Sequence, residues 1–152
     1  VVPGDAAYIE ELRALAATPD SGVTIQEPVQ YEEIVPTLRN YDVSLAFFPP
    51  VTINLKHALP NKFFEAVQAR IGVITGPSPE MGPYIHEYGF GTTTTDWTQE
   101  ALNHAFMSLT PELVDEWKKA AHEAAPKLGA EQQDQKWLEA IDKLLPAEGE
   151  QK

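Results

Sequence analysis

Two rhythms of hydrophobic and polar positions alternate along this chain: short continuous apolar runs, and longer stretches with an apolar residue every third or fourth position. Val1 and Val2 read as the end of a strand. "DAAYIEELRALAA" follows at helical spacing, with Ile9, Leu12 and Ala16 on one face and Asp5 as N-cap. "GVTIQ", Gly22 to Gln26, predicts a short β-branched strand. "YEEIVPTLRNY" predicts a helix whose Pro36 suits a first-turn position after a preceding single turn. "DVSLAFF" reads as a buried strand closed by Pro49-Pro50, and "GVITG", Gly72 to Gly76, as another. Between them lie a loop, Val51 to Pro60, and a helix from about Asn61 to Arg70.

Further on, "PSPEMGPYIHEYG" has room for at most one short helix, and "FGTTTT" for a weak last strand. The pattern then turns helical to its end. Asp96 with Gln99 suggests a capping box ahead of Ala101, Leu102, Ala105 and Phe106. Thr110-Pro111 marks the start of "ELVDEWKKAAHEAA". Trp137, Ile141 and Leu144 make a final amphipathic stripe, and "PAEGEQK" is expected to fray. Trp117 and Trp137, at core spacing, read as anchors that pack the terminal helices rather than as ligand platforms. Strands alternating with helices predict parallel βαβ units with helices on both faces of one sheet. Sheets of that kind bind ligands in the crevice beyond the carboxyl ends of their strands.

Composition narrows the function classes. The 152 residues suit one domain with a real core. Twenty-three acids against 11 bases give a net charge of −12, which argues against a nucleic-acid partner, since phosphate backbones are held by clustered Lys and Arg. With no cysteine there is neither disulfide nor thiolate metal site. His86, His104 and His122 are too dispersed for metal-ligand spacing, so no metal is expected. No apolar run reaches the about 18–20 residues that span a bilayer, and no signal peptide opens the chain; the expectation is a cytoplasmic protein. "VVPGD" looks like the tail of a strand entering a tight turn, which suggests a piece of a longer protein.

The chemistry concentrates in "ALPNKFFEA", Ala58 to Ala66. With Asn61 as N-cap, Lys62 occupies the first helical position, where a cation opposes the helix dipole by roughly 0.3–1 kcal/mol. Phe64, Val67 and Ile71 are expected to pack on the sheet, leaving Lys62, Glu65 and Ala69 on the other face. Between Asp42 and Glu80 the only acid in 37 positions is Glu65, where an even spread would give five or six, while Lys56, His57, Lys62 and Arg70 all lie in that window. An anion at the helix N-terminus explains both the lysine and the cleared acids, because free backbone N–H groups and the dipole favour phosphate there. A carboxylate one turn deeper can accept two hydrogen bonds from vicinal hydroxyls, as acids do with ribose. The plainer reading is that buried strands are poor in acids anyway, and that Lys62 and Glu65 are a solvated i,i+3 pair worth a few tenths of a kcal/mol. On pattern alone both readings stand.

The segment "YDVSLAFFPPVTINLKHALPNKFFEAVQARIGVITGPSPEM" closely resembles the donor-binding half of the GT-B glycosyltransferases of family 4, the group 1 glycosyltransferases. Members share an aspartate opening a strand that ends in proline, then a loop, then a phrase like Leu-Pro-Asn-Lys-Phe-Phe-Glu. The likeness covers roughly residues 1 to 108. It implies a Rossmann-like doubly wound parallel sheet extended by C-terminal helices, over residues 1–145, with 146–152 as a tail. It implies a hexosyltransferase-type enzyme that moves a sugar, with retention, from a nucleotide-diphosphate sugar such as a UDP or GDP sugar; that donor is a substrate, and no cofactor is implied.

By the resemblance, Glu65 matches the second glutamate of the family's E-x7-E signature and holds the ribose hydroxyls. Ala58, Leu59, Pro60 and Asn61 match the loop whose amides face the diphosphate, with Lys62 at the same helix start. Pro28 and Val29 match the turn that meets the nucleobase. His57 stands where the first glutamate is expected, which leaves recognition of the sugar hydroxyls open. Arg70 and Gly72 replace the usual Gly and Pro at the helix exit, and Glu27 a common glycine. The family's basic catalytic residues and its acceptor-binding lobe lie upstream of this chain, so no catalytic residue is assigned and that lobe is the expected partner. A non-catalytic Rossmann-like interaction module with a degenerate site is the alternative.

Overall fold

The computed structural model describes residues 6–144, so the expected strand end at Val1 and Val2, the Asp5 cap and the tail from Pro146 lie outside it. The chain divides into two compact units, residues 1–34 and residues 35–152.

The first unit contains helix α1, Ala6–Ala16. Arg13 pairs with Glu10 at 3.1 Å on its own helix and approaches Glu27 at 3.9 Å. The segment Gly22 to Gln26 does not join a ladder, correcting the expected strand. β-branched residues favour a pleated surface but do not supply its partner; Val23 donates its N–H to the Ser21 hydroxyl instead and is exposed. Helix α2, Tyr31–Leu38, begins in this unit and ends in the next. Pro36 is its sixth residue rather than a first-turn residue. The proline ring suits helical φ, and so near the C-terminus it deletes a single bond, that to the Glu32 carbonyl.

The second unit is built on a parallel three-stranded sheet in the order β1-β2-β3, from Val43–Ala46, Gly72–Thr75 and Gly91–Thr93. Val43 lies opposite Gly72, and Val73 opposite Gly91. Helices α3, Ile53–Lys56, and α4, Asn61–Ala69, connect the first two strands. Helix α5, Met81–Tyr88, connects the last two, and α6, Gln99–Met107, α7, Pro111–Ala124, and α8, Ala130–Leu144, follow. All four residues of β2 are buried, as its unbroken apolar run predicts for a central strand. Among the described residues β1 is an edge strand in which only Ala46 is fully buried and Leu45 is exposed, so the fully buried strand expected there is corrected.

Successive residues of β2 join different cores, as the pleat requires. Val73 packs with Phe63, Val67, Ile85 and Phe90, whereas Ile74 packs with Ala105 and Trp117. Gly72 is required by this packing, because a Cβ there would meet the Trp117 ring at 2.7 Å. Thr110 caps α7 by accepting the Leu113 N–H, with Pro111 at the first position, as the sequence predicts. The cap of α6 is Thr98, not Asp96; Asp96 accepts from the Thr98 hydroxyl and N–H and so holds the cap in place. Trp117 is a core anchor, but Trp137 is 69% exposed, correcting the anchor role expected of it.

Candidate functional site

In a parallel sheet the crossover helix starts just beyond the carboxyl end of the strand before it, which puts the start of α4 at that edge. The chain reaches it through α3, a single turn capped by the Thr52 hydroxyl on the Leu55 N–H. Pro60, extended at φ −77° and ψ 151°, is the N-cap of α4. The expected cap at Asn61 is therefore displaced by one residue: Asn61 is the first helical residue and Lys62 the second. Having no polar side chain, Pro60 makes no side-chain cap. The Phe63 N–H turns back to the Pro60 carbonyl at 3.0 Å. Among the described residues the N–H groups of Asn61 and Lys62 have no partner, and no acid stands in the first turn.

The buried face of α4 is Phe63, Ala66, Val67 and Ala69, and Phe64 is only partly buried. Both halves of the expected division change: Phe63 takes the core position given to Phe64, and Ala69 is not on the outer face. Phe63 makes edge-on contacts with Phe64, Tyr84 and Phe90 at centroid distances of 5.4 to 6.1 Å. That cluster fixes the helix and the site at its start.

Lys62 and Glu65 form no ion pair. The Lys62 ammonium lies 4.9 Å from the Phe48 ring centroid, a cation–π contact with the loop that leaves β1. Glu65 is half-buried and, among the described residues, has no hydrogen-bond or ionic partner. His57, the C-cap of α3, meets Glu80 with Nδ1 to Oε1 at 2.8 Å. Leu59 and Asn61 are exposed, Ala58 and Pro60 half-buried. The run from His57 to Glu65 thus gathers at the carboxyl edge of the sheet. Val29, exposed, belongs to the first unit, in the segment before α2.

At the other end of α4, Arg70 sits in the left-handed region at φ 66°. Its guanidinium donates to the Val67 and Gln68 carbonyls at 3.2 and 2.8 Å, closing the helix where glycine is usual. Burial, then the neighbouring Arg39, holds the Arg70 pKa below its ordinary value.

Two partners of site residues escape a reading of the sequence, Phe48 and Glu80, as does the Phe47–Trp97 pair at 5.1 Å between ring centroids. Glu80 has a signal, since it is the acid that closes the acid-poor window. Two cavities open elsewhere. One, of about 520 Å³, lies between Thr92–Thr95 and α6; the other, of about 460 Å³, is lined by Arg70 and one face of α7. Neither includes a residue of the expected site. His86, His104 and His122 are all exposed.

Comparison with protein-family models, with curated proteins and with solved structures returned no match. Among the described residues no helix is long and apolar enough to cross a membrane.

Proposed function

We propose that this chain is the donor-binding lobe of a family 4 GT-B glycosyltransferase, a Rossmann-like doubly wound domain extended by its C-terminal helices. In this reading it holds a nucleotide-diphosphate sugar, and an acceptor-binding lobe of the same cytoplasmic protein completes the enzyme. The observation that carries it is the start of α4. Two N–H groups there lack a cap, and the first turn has no acid. Lys62 is held beside them by Phe48, and an unpaired carboxylate, Glu65, follows one turn later. Free N–H groups and the positive end of the dipole suit a diphosphate, and a carboxylate that accepts vicinal hydroxyls suits ribose. Asn61, Pro60 and Leu59 line the approach, and His57 faces the sugar.

Titration with UDP, GDP and ADP, followed by amide NMR, tests the proposal. The expected result is a shift centred on Asn61 to Glu65 for one of the three; no shift there with any of them would refute it.

A second reading, a non-catalytic interaction module, draws on His57, which stands where the resemblance expects glutamate and is engaged by Glu80. It expects Glu65→Ala to leave the function of the full-length protein intact.

A further inference from the structure

Glu80 stands at the N-cap of α5, where a carboxylate would ordinarily accept the first backbone N–H groups of its own helix. It does not do so. Ser78, buried in the turn after β2, takes that role: its hydroxyl accepts the N–H of Glu80 at 3.2 Å and of Met81 at 3.1 Å. The carboxylate is thereby released to reach across to the loop after β1 and meet His57 Nδ1 at 2.8 Å. The two side chains come from different crossovers, 23 positions apart, and converge at one edge of the sheet.

A carboxylate has only lone pairs to offer, so the nitrogen facing it must carry the proton. In a neutral ring that leaves Nε2 with a lone pair and no hydrogen. Nε2 has no partner among the described residues. On the same crossover, Lys62 and the free N–H groups of α4 supply only donors. With the ring neutral, the edge therefore carries donors suited to an anion and one nitrogen held as an acceptor, which suits a hydroxyl.

We propose that Glu80 is the positioning residue that locks His57 as a hydrogen-bond acceptor, and that this acceptor reads a hydroxyl of the sugar carried by the donor. The second half of the inference rests on the nucleotide-sugar reading; the first does not.

Long-range proton–nitrogen NMR of the His57 ring at pH 8.5, in the wild type and in Glu80→Gln and Glu80→Ala, tests the lock. Nδ1–H is expected in the wild type and in Glu80→Gln, whose amide oxygen still accepts; Glu80→Ala is expected to move the proton toward Nε2. Isothermal titration with UDP-glucose, GDP-mannose and ADP-glucose, against UDP, GDP and ADP, tests the readout. Glu80→Ala, which frees the ring to turn as well as to shift its proton, should weaken the nucleotide sugar about five- to tenfold, the size of about one hydrogen bond, and leave the free diphosphate unchanged. An Nε2–H ring in the wild type would overturn the lock even if nucleotides bind. A ring locked by Glu80 in a protein that binds none of the six would uphold the lock and refute the nucleotide reading. Equal weakening of sugar nucleotide and diphosphate would overturn the hydroxyl readout.

Discussion

The Lys62 ammonium rests over the Phe48 ring, 4.9 Å from its centroid, rather than against the carboxylate of Glu65 three residues along. A cation at the dipole-unfavourable end of α4 is thus compensated by an aromatic face from a neighbouring loop. Lys62→Ala gives up that contact, about 0.5–1 kcal/mol, and relieves the dipole by about 0.3–1 kcal/mol, so it is expected to change stability by less than about 0.5 kcal/mol. Glu65→Gln, which breaks no ion pair, should change stability by less than about 0.5 kcal/mol. Urea denaturation of the two variants checks this; a shared loss of more than about 0.5 kcal/mol would restore the ion pair.

Gly76, at the end of β2, lies directly beneath the Trp97 ring, and an added Cβ would fall within it. Because the Phe47–Trp97 pair spans this edge, Gly76→Ala should destabilise by about 1–3 kcal/mol, as overpacking does, and expose Trp97 to water. Gly82 is a control: its Cβ would find Thr93 Cγ2 at 3.8 Å, an ordinary contact. Gly82→Ala is expected to stabilise by about 0.4–1 kcal/mol. Thermal melts followed by tryptophan emission check both, and a red shift is expected for Gly76→Ala alone.

Asp96 accepts hydrogen bonds from the Thr98 hydroxyl and N–H, and these hold its pKa below the ordinary 3.8. Unfolding returns it to that value, so the unfolded chain binds the proton more readily. The stability it contributes is present above pH 3.8 and is lost as the pH falls through the lower folded value. Glu112, bonded to its own backbone N–H and to Thr110, acts with the same sign. Asp96→Asn should flatten the acid limb of a melting-temperature profile below about pH 4 and leave its slope near neutrality unchanged.

Several elements could be read from local chemistry because the deciding residues sit next to one another. Thr110-Pro111 fixes its helix start, and the apolar run of β2 marks its burial. The start of α4 was legible to within one residue, as were Lys62 and Glu65 as its distinctive charges. Which phenylalanine faces the core was not. Stripes through Phe63 and Phe64 share Val67, and the choice falls to Ala66 and Ala69, small enough to let α4 approach its neighbours closely. Sequence periodicity does not weigh a buried alanine. Gly22 to Gln26 has strand composition, but a strand is settled by its partner, and no ladder forms there. The His57–Glu80 and Lys62–Phe48 contacts join separate loops, and no local spacing encodes them.

The most direct measurement is a crystal structure of the chain soaked with a nucleotide-diphosphate sugar. Diphosphate oxygens are expected on the backbone N–H groups of Asn61 and Lys62, with both ribose hydroxyls on the Glu65 carboxylate. A donor bound elsewhere on the domain, or a start of α4 closed by packed side chains with Glu65 untouched, would contradict it.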